Sequence, residues 1–294
     1  MSDRITHSTL AQLVSRCVLV LCFSISFSAW VHALEFKPNW PEDHVSIGAG
    51  MGMNSMIYLG VDPVTYPVSM VDARWGALFI EGSRAGYEFL RVERVSVSLA
   101  GMWDRTELNI DDVNSSNELL YLGIEDRKPT AQIGLIGHYH SPVGLVEASY
   151  FHDVTATHDS SWTNLKISRP FPETGNWFIN PGFFVKTYAE KYNRYYYSVT
   201  REENIEAAQQ YYESEGEPVI DELMARYERE FRPRYKPGNS GHIGVDLEVD
   251  YHFTPNLSIQ SYWSIEKLTG EIETSPLVED KEIYLAEIGL VFSF

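Results

Sequence analysis

The residues of this chain whose types and spacing come nearest to chemistry are His138, His140 and Ser141. Two histidines at i and i+2 share one face of a strand, as a pair of metal ligands or a general base beside a hydroxyl nucleophile would require. Ser141, however, precedes Pro142 in a turn, and no acidic residue that could orient a histidine is adjacent in sequence. Gly-x-Ser-x-Gly, His-Glu-x-x-His and a phosphate loop are all missing. A second candidate is Asp246, Glu248 and Asp250. At this spacing the outer two stand roughly 13 Å apart along a strand, too far for one cation without help from other strands. They read better as charges lining an interior. The expectation is therefore no catalytic, cofactor-binding or metal-ligating residue, no cofactor and no enzymatic activity.

The cysteines narrow the chemistry further. Cys17 and Cys22 fall in an apolar run from Cys17 to Ala29, preceded by Arg4 and Arg16 and followed by Val31-His32-Ala33. This is the layout of a secretory signal peptide spanning residues 1–33 and cleaved after Ala33, with an apolar run too short to cross a bilayer as a helix. Neither cysteine follows the small residue that a lipoprotein box needs. Cleavage would leave no thiol, no disulfide and no cysteine metal site. It would also move the net charge from −18 to −19, since Arg4, Arg16 and Asp3 leave together. Such acidity excludes nucleic acid as a partner, because phosphates demand the opposite sign.

What positions these residues is a series of strands. The chain ends on Ile283-Tyr-Leu-Ala-Glu-Ile-Gly-Leu-Val-Phe-Ser-Phe294. Tyr284, Ala286, Ile288, Leu290, Phe292 and Phe294 share one face, and Glu287, Gly289 and Ser293 the other. Such a strand looks like the closing strand of an outer-membrane β-barrel, and its terminal Phe294 resembles the signal read by the barrel-insertion machinery. The alternation recurs at 242–253, 257–267, 95–103, 131–139 and 177–185, and less clearly at 45–55, 77–90, 143–153 and 160–170. No later run is apolar enough for a transmembrane helix, so a membrane form must be a closed barrel. The pattern predicts an all-β, transmembrane antiparallel barrel over 34–294 with ten strands, or twelve if 66–75 and 188–198 join the wall. Counting back from a C-terminus in the periplasm, the short turns at 254–256, 171–175, 141–143 and 91–93 become periplasmic. The connections at 269–282, 188–240, 154–159 and 106–129 become extracellular. Short inside and long outside is the asymmetry of such barrels. Tyr139, Trp162, Trp177, Tyr188, Trp263 and Tyr284 are candidates for interfacial girdles in lipid.

The strand period breaks at 200–232. Thr200-Arg-Glu-Glu203 has capping-box spacing, and Glu217-Pro218 could open a second helix. Ile220, Leu223, Met224, Tyr227 and Phe231 recur at helical spacing. Packing of that stripe on the first helix or the barrel rim is the favoured expectation, against a lid over a pore or a docking surface.

Several short motifs, in order, resemble the MipA/OmpV family of outer-membrane proteins. They are Tyr58-Leu-Gly-Val-Asp62, Leu122-Gly-Ile-Glu-Asp-Arg127, Arg194-Tyr-Tyr-Tyr-Ser-Val199, Tyr235-Lys-Pro-Gly238, and Leu268-Thr-Gly-Glu271 followed by Thr274-Ser-Pro-Leu-Val278. Ser198 stands where the family usually has Gly, and the helical insert around 207–231 is longer than its usual form. The resemblance implies a non-enzymatic membrane protein, in a family whose namesake is a scaffold joining a murein hydrolase to a murein synthase. Expected partners are outer-membrane lipid, murein-synthesis or murein-hydrolysis enzymes in the periplasm, and the insertion machinery. The alternative is a narrow, weakly cation-selective channel. Its lumen would be lined by Glu88, Glu147, Asp246, Glu248, Asp250, Glu266 and Glu287 against Lys166 and Lys186. A periplasmic contact could use Phe36, Pro38, Trp40 and Pro41, a segment for which an unpaired leader is the favoured expectation.

Overall fold

In the computed structural model, residues 42–172, 174–212 and 220–294 are described. The expected signal peptide with its cleavage point, the 34–41 leader and Glu217-Pro218 lie outside them. Alternating side chains curl the chain into one closed antiparallel barrel of twelve strands, β1 to β12, each bonded to its sequence neighbour and β12 to β1. The strands are β1 (His44–Asn54), β2 (Val64–Trp75), β3 (Leu78–Glu81), β4 (Arg84–Val92), β5 (Val95–Asp104) and β6 (Thr130–Ser141). They continue with β7 (Gly144–Asp153), β8 (Ser161–Ser168), β9 (Trp177–Tyr188), β10 (Ser240–Thr254), β11 (Leu257–Gly270) and β12 (Glu282–Ser293). Closure sets Gly50 opposite Gly289, and the Phe294 amide donates to the Val45 carbonyl at 2.9 Å. No helix among the described residues is long and apolar enough to cross a membrane; the strands do so.

The period-two pattern decides what each face meets. On β12, Ile288, Leu290 and Phe292 point outward, Leu290 with 55% of its surface exposed, while Glu287 points inward and accepts from the Tyr66 hydroxyl at 2.9 Å. On β10, Ile243 and Leu247 face out, whereas Asp246 and Asp250 are buried in the interior. An outward belt of this kind is stable only against hydrocarbon, and only a closed sheet leaves no backbone edge there. Trp75, Trp103, Tyr139 and Trp177 are exposed near strand ends, where amphipathic rings suit the lipid–water boundary. Trp263 is exposed mid-strand, and Trp162 and Tyr188 depart from the girdle expectation: they pack tilted against each other at the barrel mouth, 6.3 Å between centroids.

Twelve strands arise by a different route from the one expected. Residues 66–75 do enter the wall, in β2, but 188–198 do not. After Tyr188 the chain forms a helix, α1 (Glu190–Tyr197). The tyrosine-rich run has high β-propensity, yet coiling sets Tyr192 and Tyr196 on one face, rings 4.7 Å apart, and both are fully packed. The twelfth strand comes from 77–90, which is broken by Gly82 at φ 58° into β3 and β4. Because β3 has four residues, it pairs with β2 only over Asp72–Trp75. The upper part of β2, which contains Pro67, is thus bonded to β1 alone, and proline is tolerated at such an edge. The loop after β5 lies alongside, with the Arg105 guanidinium 5.8 Å from the Tyr66 ring centroid.

The turns after β2, β4, β6, β8 and β10 lie at one end with the wall's two termini, and the long connections lie at the other. The first end is periplasmic and the second extracellular. Within the long connection 189–239, α1 is followed by α2 (Arg201–Tyr212) and α3 (Ile220–Glu230). The capping box forms as its spacing predicts: the Thr200 amide donates to the Glu203 carboxylate at 2.6 Å, and the Glu203 amide to the Thr200 hydroxyl at 3.2 Å. The stripe of α3 packs on α2, with Leu223, Met224 and Tyr227 against Ala207, Ala208 and Tyr212, and Phe231 beside them. The side chain of Ile220 lies outside the described part.

Candidate functional site

Two regions hold the polar chemistry: the lumen and the extracellular mouth. In the lumen, acids meet bases mostly from strands beyond their immediate neighbours. Lys166 of β8 stands 2.9 Å from Asp246, and Lys186 of β9 is 2.6 Å from Glu266, which also meets His242 at 2.9 Å. Arg84 reaches Glu147 at 3.1 Å, and Arg74 stands 3.6 Å from Glu88. Glu248 accepts from the Asn180 amide at 3.2 Å, whereas Asp250 is buried with one carboxylate oxygen lacking a hydrogen-bond partner. All the acids expected inside are there. The sequence reading missed Arg74 and Arg84. Arg74 belonged to a segment whose place in the wall was open, and Arg84 becomes inward only because the chain reverses at Gly82.

The residues first singled out for chemistry are placed as follows. His138 faces inward and finds an acid that sequence adjacency could not show, Glu147 across the β6–β7 pair at 3.4 Å. Ser141 is not joined to it. Its hydroxyl donates to the Gly144 carbonyl at 2.7 Å and accepts from the Val143 amide at 3.3 Å, so it closes the turn. The nucleophile-and-base pairing weighed for His138 and Ser141 therefore does not form. Among the described residues no three His, Cys, Asp or Glu side chains converge as metal ligands would.

The mouth is built differently. Helix α1 runs across it and is tied to opposite sides of the wall. The Tyr192 hydroxyl donates to Asp104, at the top of β5, at 3.2 Å, and its ring packs tilted against Tyr188 of β9 with centroids 4.6 Å apart. The Tyr196 hydroxyl donates to the Lys128 carbonyl ahead of β6 at 3.0 Å. The Ser275 hydroxyl, between β11 and β12, donates to the Tyr197 carbonyl at 2.8 Å, and the Tyr58 ring, just after β1, stacks on Tyr197 at 5.9 Å. Around these tyrosines Leu108, Tyr121, Leu268, Ile272 and Leu277 form one buried apolar cluster. Burial pushes the phenols of Tyr58 and Tyr192 well above their ordinary range, so they remain neutral donors.

Every motif that resembled the family meets in this cap. Tyr58 pairs with Val278, and Val199 with Tyr235, through isolated bridges. Gly123 adopts φ +69°, and a Cβ there would stand 2.4 Å from the Glu203 carbonyl, so Leu122-Gly123 lies directly on α2. Arg232, fully buried, holds the same junction. It donates to Asn204 Oδ1 at 3.0 Å and to the Leu122 carbonyl at 2.7 Å, and it also bonds the Leu120 carbonyl. His158, in the loop after β7, is enclosed by the rings of Tyr192, Tyr195 and Tyr196. Five loops thus form one layer over the barrel.

These features define an outer-membrane β-barrel whose extracellular end is spanned by a helical, tyrosine-rich cap and whose lumen is crossed by ion pairs. The chain belongs to the family described as MltA-interacting protein MipA, whose model matches residues 47–294. It is 23% identical over 257 residues to the MltA-interacting protein of Escherichia coli (strain K12), covering 86% of this chain and 91% of that protein. The same figures hold for the MltA-interacting protein of Shigella flexneri. Among solved structures, it resembles the NanC porin with a TM-score of 0.41 and 9% identity, covering 84% of this chain and 98% of that one. The translocator domain of the autotransporter NalP from Neisseria meningitidis gives 0.43 and 9%, covering 98% of each chain.

Proposed function

We propose that this protein is a non-enzymatic scaffold of the outer membrane that holds a murein-processing enzyme at the periplasmic face. The observation that carries the reading is the relationship to two proteins named for interaction with MltA, along most of both chains. The site geometry supports it. The most reactive residue types in the wall are spent on structure, Ser141 in a turn and His138 in a cross-strand contact with Glu147. The mouth is spanned by α1 rather than left open. Lipid surrounds the apolar belt, and Phe294, 76% exposed at the periplasmic end, is available to the insertion machinery before the barrel closes. The widest periplasmic connection, 169–176, adds Arg169 and Phe171 to whatever surface the leader contributes. A tagged, detergent-folded chain is expected to retain a lytic murein hydrolase of the MltA type from solubilised envelopes and with purified enzyme. Absence of binding in both formats would refute the scaffold.

A second reading, a narrow cation-selective channel, is favoured by one observation: lumen acids exceed lumen bases, and the buried Asp250 has an oxygen without a hydrogen-bond partner. Planar-bilayer recording separates the two. Stable cation-selective steps that fall when Asp246, Glu248 and Asp250 are neutralised together would establish the channel. A folded, silent barrel would leave the scaffold.

A further inference from the structure

The cap carries a cleft of about 620 Å³ whose charge is opposite to that of the chain as a whole. Arg127, Arg194, Arg201, Arg234 and Lys236 line it, and Glu203 is the one acid in the lining. In a protein of net charge −18 this clustering needs a cause. The acids that pair with three of these arginines stand outside the lining: Glu190 bonds Arg194, Asp221 bonds Arg201 at 2.5 Å, and Glu228 bonds Arg234 at 2.7 Å. A guanidinium has five N–H donors, and one carboxylate uses at most two of them. The Nε atoms of Arg127 and Arg194 are buried and make no hydrogen bond. Helix α2 starts at the same place, with Thr200 and Arg201 in the lining, and its positive end adds to the potential.

The remaining lining fits a sugar. The hydroxyls of Tyr195 and Tyr235 are engaged elsewhere, with the Lys128 amide at 2.9 Å and with Thr274 at 2.7 Å. The Arg127 guanidinium lies over the Tyr195 ring at 5.7 Å, so what these residues offer the cleft is the remaining ring surface, Tyr235 above all, on which a pyranose can stack. A bare phosphate would leave most of the volume empty, since small-molecule sites run from about 300 to 1,000 Å³. We propose that this cleft binds a phosphorylated sugar on the outer face of the barrel, with the phosphate among the arginines and Lys236 and the ring against the tyrosines. Glu203, bonded to Arg127 and to the Thr200 amide, holds one carboxylate where a ligand oxygen would otherwise compete.

The test uses the full chain folded in detergent and titrated calorimetrically at low and high salt. The probes are glucose 6-phosphate, glucose, inorganic phosphate, and micelles of a phosphorylated glycolipid. The proposal expects saturable binding of the sugar phosphate or the glycolipid, weaker binding of phosphate, none of glucose, and loss of affinity with salt. Arg234→Glu with Lys236→Glu, at the exposed rim, should weaken binding about a hundredfold while heat-modifiable mobility is unchanged. Glu203→Gln, which keeps an acceptor for the Thr200 amide, should strengthen it. Binding of glucose 6-phosphate would mark a free sugar phosphate as ligand; binding of the glycolipid alone would mark a lipid-borne one. No saturable binding of either, or binding indifferent to the Arg234/Lys236 reversal, would overturn the assignment.

Discussion

Arg232 shows how much of the cap depends on single side chains. Its guanidinium is fully buried and faces carbonyls, an amide oxygen and the Tyr227 ring at 5.6 Å, so burial lowers its pKa. Arg232→Ala would leave several buried acceptors unpaired, a loss of about 3–5 kcal/mol in a buried network. Limited proteolysis should show α1, α2 and α3 cut in the variant and protected in the parent. Arg232→Lys should not restore protection, because an ammonium cannot span those acceptors. His158 sets a pH limit. Burial lowers its pKa below 6.5 and His152 adds to this, while Asp153, Asp104 and Asp159 oppose it. The undocked loop therefore takes up a proton at higher pH than the docked one, and stability rises with pH across that interval. The cap should be fully stable above about pH 6.5 and loosen as pH falls below it. Protease protection followed from pH 7.5 to 5, at a protease concentration adjusted for equal activity, would reveal the loss, and His158→Gln should flatten the profile.

At the level of elements, strand faces and helix faces were set by different forces. Each strand's outward face needs only to be apolar, so β10, β11 and β12 were readable from alternation alone. Leu290→Arg places a charge in that belt and should cost roughly 2–4 kcal/mol at mid-membrane, less near an edge. Urea titration of the refolded barrel would measure it, and a near-zero change would place Leu290 outside the hydrocarbon. By contrast, Arg194-Tyr-Tyr-Tyr-Ser-Val199 has the composition of a strand and becomes a helix, because the mouth offers four other loops for its rings to pack against. The 77–90 segment was mistaken for one strand, although Gly82 was visible. A turn inside an apolar run becomes legible only once the register of β2 and β5 shows where the wall needs another strand.

The whole molecule is a wall with a lid. Its lumen is bridged by ion pairs between non-adjacent strands, and its mouth is spanned by α1. Tyr192→Ala with Tyr196→Ala removes two fully buried rings at a cost of about 3–5 kcal/mol each, enough to undock α1 while the strands persist. Conductance in planar bilayers should then rise above that of the parent chain. If both are equally silent, the lumen ion pairs rather than the cap form the barrier.

By itself the sequence determined the barrel, its direction and its acidic interior. Those follow from period-two alternation, turn lengths and the final strand, all properties of residues near one another in the chain. The family motifs were also legible as an ordered series, from Tyr58 to Val278. Tertiary structure alone decided that these motifs form one cap, that Arg74 and Arg84 answer lumen acids, and that four arginines and a lysine share a cleft. Each of these joins residues from strands or loops far apart in sequence. The contacts depend on the register in which the sheet closes and on the loops its rim brings together, and no local pattern encodes either.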